Sequence, residues 1–317
     1  MNRLIFTLFI ALGLIAGEAN AQENWETLNK NSMTAYNAKD YDNAFKLTMQ
    51  ALAAAEKEYG TESQRYGLSS HNMGYMHMLR KEYAEAAKHL LKAVTIRAAL
   101  KLDADQALSA REYGNIMRLH LNDITNAEKY LLLAKDLNKK VYTEKSKQYY
   151  ATASDLAQLY FNTGQYAKAE PYYLYMLQAT KEQSGVISEG YAVQLKEILT
   201  LYSKFNNKTK YFAIYEELLT TVAALGYDNN DSYYGGMFTL ADYYEQEKNA
   251  PKTISTYRTM MAAVKKNLGD TSKMYLMPLI KVLTIYNSQA DYKNMSFLSE
   301  EMVSILDRRP VEKEIYY

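Results

Sequence analysis

The apolar positions in LAQLYFNTGQYAKAEPYY, residues 156–173, fall at three- and four-residue intervals on both sides of a glycine. Leu156, Ala157 and Tyr160 share one helical face, and Tyr166, Ala169 and Tyr173 begin a second face with the same spacing. The pattern predicts two amphipathic helices, A and B, joined by a tight turn in which Gly164 takes the left-handed backbone that ends helix A. Pro171 falls inside helix B and removes one backbone donor, which predicts a mild kink.

The same hairpin returns with a period of 42 residues. Stepping from Ala169 gives Ala44, Ala86, Ala127, Tyr211, Thr253 and Met295, with one residue missing between Ala86 and Ala127. Nine residues before this marker stand Tyr160, Tyr202, Tyr244 and Tyr286, and three before it Tyr41, Tyr83, Ile124, Tyr166 and Tyr292. Seven after it come Ala51, Ala93, Ala134, Met176, Leu218, Met260 and Met302. Columns that agree in register establish an internal repeat. Ser63, Ser146, Ser188, Asn230 and Ser272 stand 23 residues before the marker, with Asp105, or else Asp103, in the third unit. Their side-chain oxygens suit a helix N-cap, and Gly60, Gly185, Gly226 and Gly269 precede them as helix ends. Seven units of 42 residues leave no room for another domain between Gln22 and Arg309. The third is irregular, since Gly114 and Ala127 stand thirteen apart where Gly74 and Ala86 stand twelve apart.

Composition changes this picture in two places. Tyrosine is abundant, 31 of 317 residues, and sixteen of these fall in four repeat columns, where a large amphipathic ring can fill the space between neighbouring hairpins. Tyr75 lies outside those columns. The first 21 residues carry Arg3, an apolar run from Leu4 to Ala16, and Ala19 and Ala21 before Gln22. This reads as a secretory signal peptide cleaved after Ala21, the apolar run being short for a stable membrane span; the other reading is an uncleaved anchor. Residues 22–309 then form the repeat domain, residues 310–317 a C-terminal tail, and the exported protein is expected in the periplasm or as a secreted product, with no membrane span after leader removal. The chain has no cysteine, so its stability has to come from packing. A net charge of +1, with bases interspersed among acids, offers no stripe for nucleic acid.

The chain shows no chemistry that points to catalysis. His71 and His77 are six apart, on different faces of a helix, and do not make the four-residue spacing of a helical zinc site. There is no glycine-rich phosphate loop, no G-x-S-x-G elbow and no cysteine nucleophile, and Asp242 with Glu245 reads as a solvated acidic face. No metal and no cofactor is expected.

HNMGYMHMLRKEYAEAAKHLLKAV, residues 71–94, resembles a tetratricopeptide repeat through Asn72, Met73, Gly74, Tyr83, Ala86 and Ala93. Unit four matches the same pattern through Leu156, Ala157, Tyr160, Gly164, Tyr166 and Ala169, and the 42-residue period resembles the long repeats of kinesin light chains. The resemblance implies an all-α solenoid, a right-handed superhelix of about seven stacked helical hairpins whose A helices line a concave ligand groove. On that geometry the groove residues are His71, Tyr75 and Met78; Ser154, Gln158 and Phe161; Lys196, Thr200 and Ser203; Phe238, Asp242 and Glu245; and Ile280, Thr284 and Asn287. The function implied is a non-enzymatic scaffold of the bacterial cell envelope that binds a protein or an extended peptide. The alternatives are a glycan-binding or nutrient-capture accessory protein, for which tyrosines such as Tyr75 would be exposed in flat pairs, and an enzyme with an unrecognised site.

Overall fold

The computed structural model describes residues 23–308, so the expected signal peptide and the expected C-terminal tail lie outside the described residues. Within them the chain is an all-α repeat solenoid of fourteen α-helices, with no strand among the described residues. The A helices are α1 (Trp25–Asn37), α3 (Gln64–Leu79), α5 (Asp103–Ile116), α7 (Lys147–Asn162), α9 (Glu189–Lys204), α11 (Asp231–Gln246) and α13 (Lys273–Ser288). The B helices are α2 (Tyr41–Tyr59), α4 (Tyr83–Ala99), α6 (Ile124–Tyr142), α8 (Tyr166–Ser184), α10 (Lys208–Ala224), α12 (Ala250–Leu268) and α14 (Tyr292–Arg308). Every B helix starts three residues before the repeat marker, so the sequence period and the helix phase coincide. The helices form two compact units that divide between Leu159 and Tyr160, inside α7.

The caps follow the sequence. Ser63, Ser188, Asn230 and Ser272 precede α3, α9, α11 and α13, and each side chain accepts from the backbone N–H of a tyrosine three residues on: Tyr66, Tyr191, Tyr233 and Tyr275. Ser146 accepts in the same way from Tyr149. One column thus ends a helix dipole and places a ring. The third unit departs from the expectation, because α5 begins at Asp103 after Leu102 and has no side-chain cap. Asp103 and Asp105 instead lie in its first turn, where a carboxylate is favoured by the unpaired N–H groups.

Each hairpin turn contains one residue with left-handed backbone: Lys39, Lys81, Asn122, Gly164, Asn206, Lys248 and Ala290. Gly164 adopts it, with φ 73°, as its position in the turn predicts. In the other turns the conformation is enforced by the closing backbone bonds. At Ala290 its own N–H reaches the Asn287 carbonyl at 3.1 Å and the next N–H, of Asp291, reaches Tyr286 at 2.9 Å. A side chain with a Cβ pays on the order of 1–2 kcal/mol for this backbone. Ala290→Gly is therefore expected to stabilise the second unit by about 1 kcal/mol, the greater freedom of glycine in the unfolded chain offsetting part of the relief. Thermal unfolding checks this, and an unchanged or lower midpoint would mean that the turn bears no strain.

The extra residue of the third unit is absorbed as a π-helical turn, Met117–Leu121, at the end of α5. Its wider ring closes with the Asn122 N–H on the Met117 carbonyl, the Asp123 N–H reaches the same carbonyl at 2.9 Å, and α6 then starts in register with the other B helices. Gly74 and Gly114 mark where α3 meets α4 and α5 meets α6 most closely. A Cβ at Gly74 would lie 2.7 Å from Leu90 Cγ, and one at Gly114 2.9 Å from Leu131 Cγ. α8 runs unbroken through Pro171, and α13 through Pro278 at the same helical position.

The framework tyrosines bury their rings and tie off their hydroxyls. Tyr202 donates to Glu170 at 2.7 Å and Tyr244 to Glu216 at 2.6 Å, each carboxylate belonging to the preceding B helix. Lys210 and Lys252 lie over the same two rings and also bond the same two carboxylates. Burial opposes the charge on Glu170 and Glu216, yet the bonds from lysine and tyrosine outweigh it and hold both carboxyls below their usual range.

Candidate binding face on the A helices

Side chains spaced by four and then three residues form one face of each A helix. In the first unit this face comprises His71, Tyr75 and Met78 on α3, Arg111 and Asn115 on α5 with Arg118 in the π-helical turn that follows it, and Ser154 and Gln158 on α7. Gln158 is exposed and the others are half-buried. Arg111, Asn115 and Arg118 occupy the groove register of the third unit, beyond the residues that the sequence pattern predicts for the groove.

Asp155, next to Ser154, is what joins α5 to α7. Its carboxylate accepts from Arg111 Nε at 2.6 Å, from Asn115 Nδ2 at 2.9 Å and from an Arg118 nitrogen at 3.2 Å. Arg118 also donates to Asn115 Oδ1 at 2.9 Å and to Gln158 Oε1 at 3.5 Å, so one predicted groove residue is held by this cluster. Burial pushes the neighbouring Glu112 carboxyl up, Arg111 pulls it back, and Asp155 adds to the rise.

On α3 the environment differs. Tyr75 meets Tyr36 of α1 edge to face, ring centroids 5.7 Å apart, with the two hydroxyls at 3.0 Å. The Tyr36 bond and then burial push the Tyr75 hydroxyl up to about 12, so it stays protonated at any ordinary pH. His71 Nδ1 lies 3.0 Å from Ser109 Oγ, which itself accepts from the buried Arg97. Burial, and then the charge on Arg97, lower the imidazole to about 4, so it is neutral and pairs with the serine hydroxyl as an uncharged ring. His71 is therefore tied into packing between neighbouring repeats and presents no free cation.

In the second unit Phe161 packs edge-on against Tyr166 at 5.7 Å and Tyr173 at 6.3 Å. Lys196 and Thr200 are exposed on α9, with the Thr200 hydroxyl donating to the Lys196 carbonyl at 3.0 Å. On α11, Phe238 is half-buried against Tyr257, Asp242 accepts from the Tyr257 hydroxyl at 3.3 Å, and Glu245 accepts from Lys281 at 3.3 Å. Ser203, Ile280, Thr284 and Asn287 are exposed.

Several aromatic pairs do stack flat, but away from Tyr75: Tyr83 on His120 at 3.6 Å, Phe212 on Tyr243 at 3.8 Å, and His77 on His89 at 5.3 Å. Among the described residues no group of three or more histidines, aspartates or glutamates is placed to hold a metal ion. No described helix is long and apolar enough to cross a membrane. A depression of about 550 Å³ lies along α14 between Ser296 and Arg308, and its titratable groups are Glu300, Asp307 and Arg308.

Residues 68–100, which span most of α3 and α4, match the tetratricopeptide repeat family. Two crystal structures of kinesin light chain TPR-like repeats from Podosopora anserina superpose with TM-scores of 0.53 and 0.52 at 15% and 16% identity, each over 62% of this chain and 94% of that one. The fold is a tetratricopeptide-like solenoid. A tetratricopeptide repeat protein from Parabacteroides merdae is also similar, with a TM-score of 0.47 and 13% identity over 92% of this chain and 95% of that one. No curated protein sequence matches the chain.

Proposed function

We propose that the chain is a non-enzymatic scaffold that binds a protein or an extended peptide along the faces of its A helices, in the cell envelope after removal of the leader. The observation that carries this reading is the A-helix face of the first unit. Tyr75, Asn115 and Gln158 stand there in one register, too exposed to be core and held by Tyr36, Asp155 and Arg118. Side chains fixed in advance lose little entropy when a partner arrives. A solenoid of repeats also offers such faces in series, which suits a long, unstructured ligand better than a small one. The edge-to-face contact of Tyr75 with Tyr36 denies a sugar ring the flat platform that the glycan reading requires.

Three substitutions measured side by side test the face. Tyr75→Ala and Phe161→Ala are expected to weaken partner binding by about 1–3 kcal/mol, the range of anchor residues at interfaces, with little change in melting temperature. Tyr160→Ala removes a buried framework ring and is expected to lose roughly 3 kcal/mol of stability through a cavity. The partner for the assay comes from an affinity pull-down of Gln22–Tyr317 from its native envelope. If the first two variants destabilise the fold as much as the third, they are core residues and the face is not a binding site. The compartment rests on the leader, and an intact mass of the exported protein that includes residues 1–21 would refute it.

A further inference from the structure

The two outermost described helices end the array differently. On α3 the side chains that face the preceding hairpin include Ser69, Met73 and Met76, all buried. Their counterparts 42 residues earlier, on α1, are Thr27, Asn31 and Thr34, which are polar and exposed or half-buried. A polar outer face is how a repeat array is closed to further stacking. On α12, which packs against both α11 and the next A helix α13, the column Thr253, Tyr257, Met260, Met261 and Val264 is buried throughout. On α14 the same column reads Met295, Ser299, Met302, Val303 and Leu306, with Val303 58% and Leu306 46% exposed and Tyr292 64% exposed at its head. It is an apolar seat on which no A helix lies among the described residues.

We propose that this α14 face docks a second copy of the chain, α14 against α14 across a twofold axis. A head-to-tail contact would set the apolar column against the polar face of α1, whereas a twofold contact sets the apolar column against itself. The charges agree with this choice. Lys293 and Asp307 lie seven residues to either side of Glu300 and border the apolar column on the same edge, so an antiparallel pair brings each lysine to the partner helix's aspartate. Glu300 stands beside the axis, where two carboxylates approach each other, and this keeps the association weak. The inference stands on α14 alone and is independent of the A-helix binding face.

Sedimentation equilibrium of Gln22–Tyr317 tests it. A monomer–dimer equilibrium with a dissociation constant on the order of micromolar is expected. Leu306→Glu, at an exposed position, is expected to raise that constant at least about tenfold with helicity by circular dichroism unchanged. Lys293→Asp should weaken the dimer, and Lys293→Asp combined with Asp307→Lys should restore it. Thr34→Glu on α1 should leave the equilibrium unchanged. A monomer at every concentration overturns the proposal. So does loss of association in Thr34→Glu, which would mean head-to-tail contact. A dimer that forms only after residues 309–317 are removed also overturns it, by showing that the C-terminal tail is the occupant.

Discussion

Replacing Asp155 by alanine is expected to cost the first unit about 3–5 kcal/mol, the penalty for breaking a buried ion pair by removing one partner. The Asp155 side chain is 11% exposed and that of Arg118 is 7% exposed, so water cannot take over the charge that is left behind. Arg111 and Asn115 lose their acceptor in the same step. The loss is thus mainly the desolvation of the buried Arg118 charge, since the Arg111 side chain is 29% exposed and water can reach it, and the net worth of the intact cluster is smaller. Two measurements separate these quantities. Urea unfolding of Asp155→Ala gives the first, and the double variant Asp155→Ala with Arg118→Leu is expected to be less destabilised than the sum of the single changes, because the stranded guanidinium is gone. If Asp155→Ala loses less than about 1 kcal/mol, the cluster behaves as a solvated surface pair and its role in fixing α5 against α7 is wrong.

The parts of this fold that were legible in the sequence are those written once per repeat. The cap column names the start of A helices directly, because Ser63, Ser188, Asn230 and Ser272 each bond the N–H three residues on. The marker column names the start of B helices for the same reason of fixed phase. The hairpin turns were legible only at Gly164, since elsewhere the left-handed residue is a lysine, an asparagine or Ala290, held by bonds to the helix that the residue type does not advertise. The third unit misled the reading in both directions. Its expected cap is Asp105, or else Asp103, whereas the helix starts after Leu102, and Gly114, aligned on Gly74, places Arg111, Asn115 and Arg118 in the register of His71, Tyr75 and Met78. The pairing of Asp155 with Arg111 spans 44 residues and depends on which neighbour each helix meets, which no local pattern encodes. His71 is a related case, because its neutral state is set by burial against the next hairpin, where Ser109 meets it, and then by the charge on Arg97 of its own hairpin.

Tyr257→Ala should produce the second large loss, about 3–5 kcal/mol, the range for deleting a fully buried ring. Tyr257 has no exposed surface and lies in the core formed by α10 to α14, with Tyr233, Met237, Met260 and Leu279, and Phe238 edge-on at 5.8 Å. It is held by α11 of its own hairpin, through Phe238 and Asp242, in a core that α13 of the next hairpin completes, so its removal opens a void where two repeats join. The hydroxyl contributes little by comparison, its bond to Asp242 being 3.3 Å long. Tyr257→Phe is accordingly expected to cost no more than about 1 kcal/mol. Because each repeat in such an array leans chiefly on its neighbours, the damage should stay near its source. Hydrogen exchange of Tyr257→Ala is expected to show lost protection in α11, α12 and α13, with α1 to α4 unchanged. A uniform loss along the whole chain would mean that the two units unfold as one cooperative body, and the nearest-neighbour account of the stability of this solenoid would have to be abandoned.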